Sequence, residues 1–124
     1  MRAKKRHHDG HKTVMDDLLL KRPGVRPGQM MGHPAYYLHG NMFAAVLETA
    51  VIFKVPADYA ESRIGEPGVT AFQPGGHPMR GWIQVDRKDS DDFRDEMHLI
   101  QTSLAFVGAL PAKKPKGKRS KSGE

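Results

Sequence analysis

Between Thr13 and Leu110 the apolar positions switch between two periods, one close to four residues and one of two. Val14, Met15, Leu18 and Leu19 fall on one face of a helix. Thr13 is placed to cap it with Asp16 as the capping-box partner, and Pro23-Gly24 ends it. Val25 to Gly32 contains Pro27, Gly28 and Gly32 and reads as a loop. Strand formers then dominate. Ala35 to His39 predicts one strand, Gly40-Asn41 a turn, and Met42 to Leu47 a second strand. Glu48-Thr49 predicts the next turn, and Ala50 to Val55 a third strand in which Val51, Phe53 and Val55 alternate with Ile52 and Lys54. Pro56 suits the first turn of a short helix through Ile64, with Gly65 as its C-terminal cap. Val69 to Phe72 and Gly81 to Asp86 read as two further strands. The last helix is predicted from a cap at Ser90 to about Gly108 or Leu110. Its apolar seam is Phe93, Met97, Ile100, Leu104 and Val107, and Pro111 stops it.

This order, α-β-β-β-α-β-β-α, predicts an α+β fold built as a two-layer sandwich. An antiparallel meander forms the sheet and the helices pack on one of its faces. In a meander the Met42–Leu47 and Ala50–Val55 strands would offer an edge for pairing a second copy, since neither carries charge beyond Lys54. The expected domain covers residues 13–111, flanked by basic tails at 1–12 and 112–124 that lack the apolar residues needed to pack.

Charge sharpens that division. The chain has 124 residues and a net charge of +6, but residues 1–12 carry +4 and residues 111–124 carry +5. The middle is mildly acidic at −3. Attraction to nucleic acid would therefore act through Lys4, Lys5, Arg6, Lys113, Lys114, Lys116, Lys118, Arg119 and Lys121. Such contacts neutralise phosphates without reading bases. Cysteine is absent, which removes disulfides, thiolate metal sites and a thiol nucleophile. No apolar run approaches the roughly 20 residues that span a bilayer, and Met1–Lys12 has no apolar core of a secretory signal. A cytoplasmic protein with no membrane contact is expected.

Three stretches together resemble the N-terminal domain of the TfoX/Sxy family, bacterial proteins linked to competence regulation. They are MMGHPAYYLHGNMFAAV at 30–46, FKVPADYAESRIGEPGVTAF at 53–72 and GGHPMRGWIQVD at 75–86, followed by Leu-Ala-Phe-Val and Leu-Pro at 104–111. His33 stands where a second glycine is usual, and Gly40-Asn41 reverses the family's Asn-Gly pair. Full-length members carry a second helical domain, so the likeness is to stand-alone N-terminal-domain proteins. It implies a regulatory or interaction domain and assigns no catalytic residue.

Several clusters invite chemistry, and each has a plainer explanation. His7, His8 and His11 could bind a metal, but with no core predicted beside them they read as a solvated tail. His77, Arg80 and Trp82 could form a ligand or partner loop, although Gly75-Gly76 matches no phosphate motif and Trp82 reads as core. Tyr36, Tyr37 and Phe43 could stack bases, yet strand aromatics usually pack across strands. Asp86, Asp89, Asp91, Asp92, Asp95 and Glu96 could hold a cation, but acidic residues also suit a helix start and the spacing is not that of a calcium loop. No metal, cofactor or catalytic group is therefore expected. The leading expectation is a non-enzymatic regulatory domain with an unidentified protein partner. A nucleic-acid-associated protein acting through its tails, and a small-ligand binder using the His77–Trp82 loop, are the alternatives.

Overall fold

A computed structural model describes residues 7–113. The first helix, α1 (Asp9–Leu19), begins four residues before Thr13. His8 is its N-cap, with φ −87° and ψ 115°, and its side chain accepts from the His11 amide. Thr13 lies inside the helix and its hydroxyl donates to the Asp9 carbonyl at 3.1 Å. Asp16 is likewise no capping partner: it accepts from the Tyr36 hydroxyl at 2.6 Å and pairs with Lys12. The boundary expected at residue 12 is thus corrected, because His11 is fully buried and draws the preceding turn into the domain. Val14, Met15, Leu18 and Leu19 are buried as the helical spacing predicts.

Six strands follow: β1 (Val25–Met30), β2 (His33–Leu38), β3 (Asn41–Val46), β4 (Ala50–Lys54), β5 (Val69–Ala71) and β6 (Trp82–Asp86). They form one antiparallel sheet in the order β1-β2-β3-β4-β6-β5. The α+β class and its antiparallel sheet agree with the expectation. The segment read as a loop, Val25 to Gly32, is instead the strand β1. It tolerates Pro27 because it is an edge strand, where a missing N–H can face away from the ladder. The expected edges are also corrected: β3 lies between β2 and β4, and β4 pairs on its other side with β6. The true edges are β1, interrupted by Pro27, and β5, three residues long. Both are poor templates for strand addition.

Helix α2 (Ala57–Arg63) follows Pro56, and α3 (Met97–Gly108) closes the domain. A separate 3-10 turn, Ser90–Asp95, precedes α3, with the break at Glu96 (φ −101°, ψ 37°). The predicted single helix from Ser90 is therefore two segments. The buried face of α3 is Leu99, Ile100, Ser103 and Val107, while Met97 and Leu104 only flank the core. Ser103 permits close approach to the sheet, and its hydroxyl donates to the Lys54 carbonyl at 2.7 Å.

All three helices pack on one face of the sheet. The core between the layers includes Tyr36, Phe43, Phe53, Ile83, Phe93 and Ile100, each at most 1% exposed. Past α3 the chain is held again. The Asn41 side-chain amide donates to the Pro111 carbonyl at 3.0 Å, and the Lys113 amide donates to the His39 carbonyl at 2.7 Å. Gly40, at φ +82°, must be glycine, since a Cβ would collide with the Lys113 carbonyl. Residues 111 and 113 are thus strapped to the β2–β3 turn.

Candidate functional site

The strand register sets the uncovered face of the sheet. Gly28, Ala35, Ala45, Ile52, Gln84 and Thr70 lie in one row across all six strands. Small residues in the middle of this row leave room for larger neighbours to fold over them. Ala35, Ala45, Ile52 and Trp82 are buried beneath half-buried Met30, Tyr37, Met42, Leu47 and Phe72. The result is a second, thin apolar layer with no helix of the described residues upon it. Tyr37 crosses the backbone at Gly28, where a Cβ would lie 2.7 Å from the ring, and its hydroxyl donates to the Gln29 carbonyl. The Trp82 and Phe72 ring centroids are 6.4 Å apart, and the Lys54 ammonium lies 5.4 Å from the Trp82 ring. That geometry is a cation–π contact.

At one end this layer opens into a cleft of about 440 Å³, a size within the usual range of ligand pockets. Met30, Met31, His33, Leu47, Ala50 and Phe72 are among its lining residues. Met31 is 84% exposed. His33 Nδ1 is buried and has no hydrogen-bond partner among the described residues. The wall formed by Leu47, Glu48 and Thr49 is the β3–β4 turn.

Trp82 belongs to the apolar layer, as its core reading requires. His77 and Arg80 lie on the exposed stretch before β6, and neither makes a hydrogen bond among the described residues. His77 and Arg80 are exposed, whereas Trp82 is buried in the apolar layer. Tyr36 and Phe43 face the helices while Tyr37 faces the opposite side, so they form no common stacking platform. Burial, then the Asp16 carboxylate, pushes the Tyr36 phenol far above its usual range. Half of the acidic cluster is spent locally. Asp89 caps the Asp91 amide, Asp91 pairs with Arg94, and Glu96 bridges Arg87 (2.7 Å) and Arg63 (3.3 Å). No group of carboxylates and imidazoles among the described residues could hold a metal ion. Lys113 is bound through its backbone, and Lys4, Lys5, Arg6, Lys114, Lys116, Lys118, Arg119 and Lys121 lie outside the described residues.

Comparison with protein-family models, curated proteins and solved structures gives no match. The TfoX resemblance therefore rests on the residues that carry it. No helix among the described residues is long and apolar enough to cross a membrane.

The histidines hold the surprise. His8 and His11, expected in a solvated tail, stack with ring centroids 3.8 Å apart. His11 meets Phe93 edge-on at 4.9 Å. Its Nε2 lies 3.1 Å from the Thr49 carbonyl, which can only accept, so that nitrogen carries the proton. Nδ1 then accepts from the Ser90 hydroxyl at 2.7 Å. Burial, reinforced by the neighbouring His8, lowers the His11 pKa despite the opposing backbone contacts and Asp86. A serine donating to an imidazole can mark a nucleophile and its base. Here the amides of Asp91 and Asp92 are already taken by Asp89, leaving neither to stabilise an oxyanion, and three aspartates surround the serine. The pair joins α1 to the 3-10 turn and to the β3–β4 turn. A lone buried histidine gives little sequence signal, although His11 sits three and four residues before Val14 and Met15 on the same helical face.

Proposed function

We propose that this chain is a non-enzymatic interaction domain of the TfoX N-terminal type, which takes a protein partner on the uncovered face of its sheet. The observation that carries this reading is the second apolar layer, built from Ala35, Ala45, Ile52 and Trp82 and open at a cleft. Sheet faces that stay wet are normally polar on the outer side. Here Met30, Met31 and Met42 supply flexible, adaptable side chains of the kind favoured on binding surfaces. The resemblance adds a bacterial, cytoplasmic setting and a link to competence or transcription regulation.

The test is affinity capture of the full chain from its native cell, with and without nuclease, beside Met31→Glu and Phe72→Glu. A charge placed in an interface centre costs about 2 kcal/mol or more, so recovery of the partner should fall by more than about tenfold. The partner should survive nuclease treatment. Capture that disappears with nuclease, or that neither substitution changes, overturns the reading.

A second reading rests on the charge partition. With the acidic middle folded and the positive charge at both ends, nucleic acid would be held through the tails.

A further inference from the structure

We infer that the uncovered sheet face takes an amphipathic helix of a protein partner with acidic residues at one end, and that Arg26 and Lys54 receive those acids. This names the chemistry of the partner and rests on the proposed use of that face.

Residues paired directly across two strands point to the same side of a sheet. Arg26 pairs with Tyr37, and Tyr37 belongs to the uncovered apolar layer. Arg26 therefore stands on the side of that layer, and it is exposed. Tyr37 pairs in turn with Met42. Lys54 pairs with Trp82 and holds its ammonium 5.4 Å from the indole ring. One end of the face thus carries two cations set among Tyr37, Met42 and Trp82. The strap at His39 and Asn41 lies beside Tyr37 and Met42, so the basic sequence from Lys113 onward also starts at this end.

The carboxylates of this side stand at the other end. Ala50 opens β4, lines the cleft and pairs with Asp86, and Glu48 lines the cleft as well. Ala50 and Lys54 are the two ends of a five-residue strand, roughly 13 Å apart. The face is therefore charged in one direction, although the folded middle of the chain is net negative. On the helical side the arginines are already paired. Arg63 and Arg87 share Glu96, and Arg94 holds Asp17 and Asp91. Arg26 and Lys54 have no carboxylate partner among the described residues.

The form of the partner follows from the edges and the floor. Both edge strands are poor templates for an added strand, so an extended segment finds no ladder to join. A helix needs none, because it presents a complete apolar stripe to a surface. Ala35 and Ala45 give that stripe a shallow floor between Tyr37, Met42 and Leu47. Nucleic acid fits less well. Base stacking needs open ring faces, and Trp82 is 6% exposed while Tyr36 and Phe43 point to the helices.

The experiment titrates two synthetic helical peptides into the full chain and follows the amide shifts of Tyr37, Met42 and Ile52. Both peptides carry the same leucine stripe. One ends in glutamates and the other in lysines. The glutamate peptide should bind at least about tenfold more tightly. Arg26 is exposed on an edge strand, so Arg26→Glu leaves the core intact, and it should erase or reverse that preference. Lys54→Gln should narrow it. No saturation by the glutamate peptide up to about 1 mM, equal binding of the two peptides, or a preference unchanged in Arg26→Glu would each overturn the inference. So would a single-stranded oligonucleotide that binds more tightly than the glutamate peptide and depends on Arg26. Phe72→Ser separates this result from the parent reading. Equal binding that Phe72→Ser abolishes removes the acidic requirement and leaves the apolar face standing. A glutamate preference that Phe72→Ser does not weaken means capture by charge alone and overturns both.

Discussion

Which side of α3 faces the sheet can be decided by two substitutions. Ile100 is completely buried in the core between helices and sheet, whereas Leu104 only packs against its margin. Ile100→Ala removes three carbons from a site with no water to refill it. The transfer loss and the cavity together should cost roughly 2–5 kcal/mol. That is a large share of a total stability of about 5–15 kcal/mol. Leu104→Ala removes as many carbons, but from a side chain already partly in water. The loss scales with the area actually covered and no sealed cavity is left, so about 1–2 kcal/mol is expected. Urea titration at pH 7.5 should therefore shift the midpoint far more for Ile100→Ala, with the same slope in both variants. A Leu104→Ala loss equal to or greater than that of Ile100→Ala would mean that the seam of Phe93, Met97, Ile100, Leu104 and Val107 is the packed face after all.

Further outcomes can be tested. Gly40→Ala places a side chain at φ +82° and against the Lys113 carbonyl. It should destabilise by more than about 1 kcal/mol and raise amide exchange at Lys113. Glu96→Gln leaves Arg63 and Arg87 facing each other without their shared carboxylate. A loss of about 2 kcal/mol by denaturant titration is expected for such a half-buried pair. Removing residues 114–124 should flatten the salt dependence of any DNA binding, whose slope is at most about −0.9 per phosphate neutralised. Anisotropy on two unrelated duplexes would reveal this, and strong sequence preference surviving the deletion would place binding elsewhere.

The parts legible from sequence were those whose apolar period was uninterrupted. Strands β2 to β4, helix α2 and strand β6 fall where alternation, Pro56 and the turn pairs put them. Strand β1 was hidden because a single residue of it, Val25, is buried, while Pro27, Gly28 and Gln29 carry loop chemistry. Its strand character comes from pairing with β2, a tertiary cause that local propensity does not encode. The start of α1 was hidden for the opposite reason. His11 looked polar beside basic residues, yet it is a core residue whose two ring nitrogens are satisfied by Thr49 and Ser90. The rotation of α3 came from Ser103, a small polar residue on the packed face that no hydrophobic seam would include. The uncovered face was invisible because Ala35, Ala45 and Ile52 join across strands whose register depends on the whole sheet.

The two anchoring contacts that bracket the folded domain have a mechanical meaning. The His8 amide is fastened at Leu47, just beyond one end of β3, and the Lys113 amide at His39, just before the other. Six residues of strand separate these attachment regions, roughly 20 Å of extended chain. Tension applied through the flanking segments would therefore run lengthwise along an interior strand. The anchors are one backbone hydrogen bond at Leu47 and, at the other end, one backbone bond with the Asn41–Pro111 bond beside it, so they would yield first, acting as fuses. Once they part, the pull passes to α1 and α3, and β3 keeps its ladders with β2 and β4 until those helices have peeled away.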